Sequence, residues 1–200
     1  MTQIQDVKGL QQASVIDLIL IDHRYLKECI LILGDEHADK AKKFRMAKGF
    51  LDTLQKHSTA EKAAVYVPAE KNEELHFNIL EADIEHGIVD QKVKTLRPRL
   101  ARAKKLKEDV EAELKVLSEL VRHHLQEEES EILPRMQQLY TDEALDDMGT
   151  EFMKIRKFSP KTLHDFPVLQ DELIHWKDSV QQISSKFLSK MDQYVENLKH

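Results

Sequence analysis

LVRHHLQEEESEILP, residues 120–134, is the stretch on which the reading of the fold turns. Before and within it Val110, Leu114, Leu117 and Val121 recur at steps of three and four, the period of a helix that buries one face. His124 continues that stripe three residues after Val121, and Glu128 follows at i+4. An imidazole and a carboxylate therefore point inward from one helix. The helix is expected over residues 106–139, with a kink at Pro134 late inside it.

Working outward, the same periodicity recurs. Ile16, Ile19, Leu26, Ile30 and Leu33 mark a first helix over residues 14–33, ended by Gly34. A second begins between Asp35 and Asp39, carries Phe44, Ala47, Leu51, Leu54 and Val65, and is expected to stop at Pro68. A third starts near Pro68 or Asn72 with Leu75, Ile79, Ala82, Val89, Val93 and Leu96, and Pro98 predicts its end or a kink. Thr141-Asp142-Glu143 reads as a cap opening a short helix to about Lys157, and Ser159-Pro160 breaks it. A last helix over about 166–198 carries Leu169, Leu173, Trp176, Val180, Ile183, Phe187, Met191 and Tyr194, a stripe that needs burial against the bundle or at a dimer seam. The expected organisation is an all-α, up-down four-helix bundle over 1–157, with a C-terminal helical extension over 158–200.

Composition agrees. The 200 residues are 41% apolar and 33% charged, with only five Gly and five Pro, too little turn chemistry for a many-stranded sandwich or barrel. A net charge of −6 gives no reason to expect nucleic acid. The basic run from Lys92 to Lys107 has no interleaved aromatic residue for stacking on bases and reads as a solvated helix end. The N-terminal MTQIQDVKGL lacks the basic start and apolar run of a signal peptide, and the apolar stretch at 15–21 is broken by Asp17 and too short to span a membrane. The expectation is a cytoplasmic protein with no membrane partner. Ten His beside a single Cys, Cys29, leave imidazole and carboxylate as the site chemistry and exclude a disulfide framework.

Four of the histidines sit on the wrong face for a surface residue. His23 shares the stripe of Ile19 and Leu26; His57 follows Leu54 by three and precedes Glu61 by four; His86 follows Ile79 by seven and precedes Val89 by three; His124 and Glu128 repeat the pattern. Asp22 and Tyr25 flank His23 and are read as facing away. Two buried carboxylates need compensation. Two metal ions supply it if Glu61 and Glu128 each bridge both and two His serve each ion, which leaves room for an oxo or hydroxo bridge and an exogenous ligand. Donors of this kind without thiolate suit iron or manganese, with zinc also compatible.

ILIDHRYLKE around His23, QKHSTAEKAAVYVP around His57 and Glu61, EADIEHGIV around His86 and LVRHHLQEEESEILP together resemble the hemerythrin-like family of HHE cation-binding domains, across about residues 14–139. In that family a proline lies about ten residues past the fourth-helix His, as Pro134 does past His124, which selects His124 over His123 and its partner Glu127. The resemblance implies an up-down bundle with a non-haem di-iron centre held by His23, His57, Glu61, His86, His124 and Glu128, and a small diatomic molecule or peroxide as its partner. Oxygen-carrying members have a second His on the third helix, where this chain has Ala82 and Asp90 on either side of His86, and an Asp after the fourth-helix His, where it has Glu128 and Glu129. The chain is more similar to the branch with four His and two bridging Glu, which includes iron-sulfur repair proteins and iron- or oxygen-sensing domains; the N-terminal cysteine-bearing domain frequent in repair proteins is not expected here. The two functional expectations are reaction with O2, peroxide or NO, and iron or oxygen sensing relayed through the C-terminal helix. His37 is a weak further ligand candidate, His76 a core or surface residue, and His164, His175 and His200 carry no expected role. No acid-base residue is singled out.

Overall fold

The structure is a computed structural model, and it describes residues 14–156. The expectations for residues 158–200, including the last helix, Trp176, His164, His175 and His200, lie outside the described residues.

Among the described residues five long helices follow one another: α1 (Val15–Gly34), α2 (Lys40–Glu61), α3 (His76–Arg102), α4 (Glu108–Glu127) and α5 (Asp142–Arg156). Side-chain oxygens satisfy backbone N–H groups that a helix start leaves unpaired. Ser14 accepts from Ile16 N, Asp39 from Lys42 N, and Thr141 from Ala144 N. Each of α1 to α4 packs on the next and α4 returns to α1, closing the expected four-helix bundle, while α5 lies across α1 and α2. Among the described residues, no helix is long and apolar enough to cross a membrane.

Four expectations about helix ends and prolines are corrected. The helix begun as α2 does not stop at Pro68: it widens into a π-helical turn, Lys62–Tyr66, and runs on through Val67–Ala69. Val67 N–H there bonds five residues back to Lys62 O, and Pro68 enters the next turn where no N–H is required. The third helix accordingly starts at His76, because the Asn72 side chain accepts from Glu74 N and holds a turn there. Beyond α4 the helix takes a second π turn, Glu128–Ile132, before continuing as Leu133–Leu139, so the relief expected at Pro134 comes in the turn that precedes it. Pro98 sits on the exposed side of α3, where the carbonyl four residues back is left to solvent, and the helix continues to Arg102.

One face assignment is also corrected. Asp22 and Tyr25 are buried, at 2% and 5% exposure, because α5 covers the side of α1 that a four-helix reading leaves in water. The basic residues of 92–107 are on the surface or half-buried, and Arg97 and Arg99 find their acids on other helices, at Asp52, Asp109 and Glu113.

Candidate metal centre

His23 on α1, His57 and Glu61 on α2, His86 on α3, His124 on α4 and Glu128 at the second π turn are each no more than 3% exposed. The bundle brings all six expected residues together. They fall into two sets, His23, His57, Glu61 and Glu128, and Glu61, His86, His124 and Glu128, in each of which one atom per residue lies within 4.8 Å of the others. Both sets share both glutamates.

The four rings present Nε2 to two oxygen atoms. His57 and His86 face Glu61 Oε2 at 3.0 and 3.6 Å; His23 and His124 face Glu128 Oε2 at 3.2 and 3.3 Å. Proximity does not make these hydrogen bonds: Nε2 of His23, His57 and His124, both Glu61 oxygens and Glu128 Oε2 are buried without a hydrogen-bond partner. Orphaned buried polar atoms are rare, each costing about 1–3 kcal/mol. Here they converge on common points instead of on each other, as ligand atoms do. Bonds of about 2.0–2.2 Å to an ion allow ligand atoms up to roughly 4.4 Å apart, so each set needs only small inward movement to close on a cation. The donor set therefore fits a metal.

Three of the four outer nitrogens face acids. Nδ1 of His23 bonds Glu129 Oε1 at 3.0 Å, Nδ1 of His124 bonds Glu85 Oε2 at 2.8 Å, and Nδ1 of His57 faces Asp22 Oδ2 at 3.3 Å. An acid on Nδ1 fixes ring orientation and leaves Nε2 as the basic, inward atom. Asp22 is itself gripped by Arg156 of α5, with Nε on Oδ2 at 2.8 Å and Nη2 on Oδ1 at 2.9 Å. Phe152 of α5 meets the His57 ring edge-on at 6.2 Å. His86 differs: its Nδ1 has no partner and its ring stacks on Tyr66 at 5.1 Å. The Tyr66 hydroxyl donates to Glu128 Oε1 at 2.5 Å.

Charge follows from these contacts. Burial alone would depress the His57 pKa, but Glu61 and Asp22 beside it raise it to about 10. His23 and His124 are likewise raised against the effect of burial, by Glu128 and Glu129 in one case and by Glu128 and Glu85 in the other. His86 goes the other way, held neutral by burial and the neighbouring His124. Burial opposes the charge on Asp22, yet Arg156 and His57 hold it at about 2. Burial and the Glu128 and Glu61 charges keep Tyr66 protonated, a neutral donor at the edge of the site.

Of the remaining histidines, His123 is 65% exposed and pairs with Glu127 at 3.2 Å, as the rejected alternative to His124. His37 lies exposed in the loop before α2 and does not reach the site; His76 is exposed, its Nδ1 3.0 Å from Glu70 O. The residues missed by the sequence reading are Asp22, Glu85, Tyr66 and Arg156, together with the role of Glu129. The acids carried a signal: each adjoins a site residue in sequence, yet orients a histidine on another helix. Glu129 and Lys27, joined at 2.5 Å, also line an 890 Å³ cleft between α1 and α4, so the His23 side is one carboxylate from the surface.

A helical bundle with a buried nitrogen and oxygen cluster of this form defines a class, that of bundle-borne cation-binding domains. The chain belongs to the hemerythrin family: the hemerythrin HHE cation binding domain model matches residues 14–136. No curated protein and no solved structure matches the chain.

Proposed function

We propose that the protein is a non-haem di-iron protein of the cytoplasm that binds or reacts with O2, peroxide or NO. His23 and His57 would hold one ion and His86 and His124 the other, with Glu61 and Glu128 bridging. The observation that carries this reading is the pair of four-residue sets that share both glutamates. Nitrogen and oxygen donors without thiolate suit iron or manganese, with zinc compatible, and membership of the hemerythrin family favours iron. Bound there, the ions would supply open coordination positions and one-electron chemistry at a site of four His and two Glu.

The chain's own residues set the conditions. Asp22, Glu85 and Glu129 orient three rings. The Tyr66 hydroxyl, its oxygen 2.5 Å from Glu128 Oε1, holds a proton available to whatever approaches that oxygen. Tyr66, stacked on His86, and Phe152, edge-on to His57, are buried and limit access by water. Cys29, the single cysteine, is a buried thiol, compatible with a reducing compartment.

Anaerobic reconstitution with ferrous iron tests the reading. Two ions per chain are expected, together with near-ultraviolet absorption after air is admitted. Because the glutamates are shared, Glu128→Ala should weaken both ions, whereas His57→Ala should lower the stoichiometry to one. Failure to bind two ions, or equal losses in the two variants, overturns the assignment. One contact favours sensing as a second reading: Arg156, at the end of α5, is bonded to the Asp22 that faces His57, so ligation of His57 is mechanically tied to the helix leading into the C-terminal segment.

A further inference from the structure

α3 is apolar on two opposite sides. Ile79, Ala82, His86, Val89, Val93 and Leu96 are buried, yet Phe77, Leu80, Ile84 and Ile88 stand 74%, 41%, 66% and 48% exposed. Their steps of three and four at about 100° per residue place them in one stripe, roughly opposite His86. Four large apolar side chains on one side of a helix, with Glu81 beside them, make an exposed apolar patch, and the largest such patch on a soluble protein is often functional. Gly87 flanks the stripe in mid-helix, where glycine costs about 1 kcal/mol relative to alanine. A Cβ built on it meets nothing within 4 Å, so nothing among the described residues requires a glycine there. A helix laid closely along this side would.

We propose that the C-terminal segment of the same chain, about residues 166–198, docks along this stripe as an amphipathic helix. The sequence supplies a complementary row in Leu169, Leu173, Trp176, Val180, Ile183 and Phe187. Reach is sufficient. α5 ends at Arg156, at the level of the metal centre, and residues 157–168 extend to roughly 40 Å, enough to pass around a bundle whose helices are each about 10–12 Å across. Size also decides between occupants. A patch of four side chains falls short of the roughly 800 Å² per partner of a stable protein interface. A tethered helix escapes that requirement because its effective concentration is high. The α1–α4 cleft sets Ile30 and Leu31 among Lys27, Lys115, Arg122 and Glu119, two apolar side chains against the four of the α3 stripe.

The chain has one tryptophan, Trp176, so its fluorescence reports on this segment alone. In the full-length protein a blue-shifted emission, shielded from acrylamide, is expected in a monomer by light scattering. Ile84→Glu and Ile88→Glu should shift it to the red and open the segment to protease. Both positions are exposed on the side opposite His86, so helix content by circular dichroism and the metal stoichiometry should stay unchanged. Leu31→Glu, in the cleft, should leave emission as in the wild type. The proposal is overturned by a red emission in the wild type, by a response to Leu31→Glu and not to Ile84→Glu, or by a dimer that Ile84→Glu dissociates. None of these results depends on what the metal centre binds.

Discussion

Asp22 is a carboxylate that burial opposes and two neighbours sustain. Its pKa of about 2 lies below the ordinary 3.8, so its charge stabilises the fold above pH 3.8 and that contribution is lost as the pH falls through 2. The difference corresponds to about 2 kcal/mol. In metal-free protein, urea midpoints should therefore fall between pH 4 and pH 2, and Asp22→Asn should flatten that part of the profile; an unchanged slope would remove Asp22 as its source. Arg156→Met, which strands the buried charge, should destabilise the protein at neutral pH by about 3–5 kcal/mol in urea unfolding. The position of Asp22 beside His23 was visible in the sequence but its pairing with Arg156 was not, because a carboxylate on that side of α1 faces water until a fifth helix covers it. Glu85 and Glu129 hide differently: they are ordinary acids in an acid-rich helix face, and only the crossing of helices shows which ring each one orients.

The two π turns act at the level of the element. In an α-helix residue i+5 stands about 140° round from i, which would turn Tyr66 away from Glu61. The i→i+5 closure of the widened turn brings it back beneath Glu61 and toward Glu128. Helical periodicity read Val65 and stopped at Pro68, so it had no means of finding Tyr66; the inward His, which precede any irregularity, were all legible. A π turn is an α-helix with one residue inserted, and this makes an asymmetry testable. Deleting Ala63, which is exposed, returns Tyr66 to the i+4 position on the same face, and the variant should keep its fold and its capacity for two ions. Inserting an alanine after Ala63 rotates Tyr66 and the buried Val65 away and should lower the melting temperature by several degrees at least. Equal damage from deletion and insertion, measured by thermal unfolding and metal analysis, would show that the wide turn is needed for itself.

For the whole molecule, the centre lies where four helices converge and α5 is tied on by Arg156, so a bound ion would hold together what separates on unfolding. Any ligand of the native state stabilises it, by about 2.7 kcal/mol at a hundredfold excess over its dissociation constant. Protons compete for the same atoms. In metal-free protein His57, with a pKa raised to about 10 from an ordinary 6.5, stays charged through the physiological range. Its raised value stabilises the metal-free fold fully below pH 6.5 and ceases to do so as the pH rises through 10. A cation that takes Nε2 must displace that proton, and affinity grows about tenfold per pH unit for each proton released. The two effects have the same sign for the difference between loaded and chelated protein. The gap in melting temperature should widen from pH 6.5 to pH 9, and titration calorimetry in buffers of different ionisation enthalpy should show net proton release. A gap that stays constant with pH, or narrows, would mean that His57 is not among the atoms the metal takes.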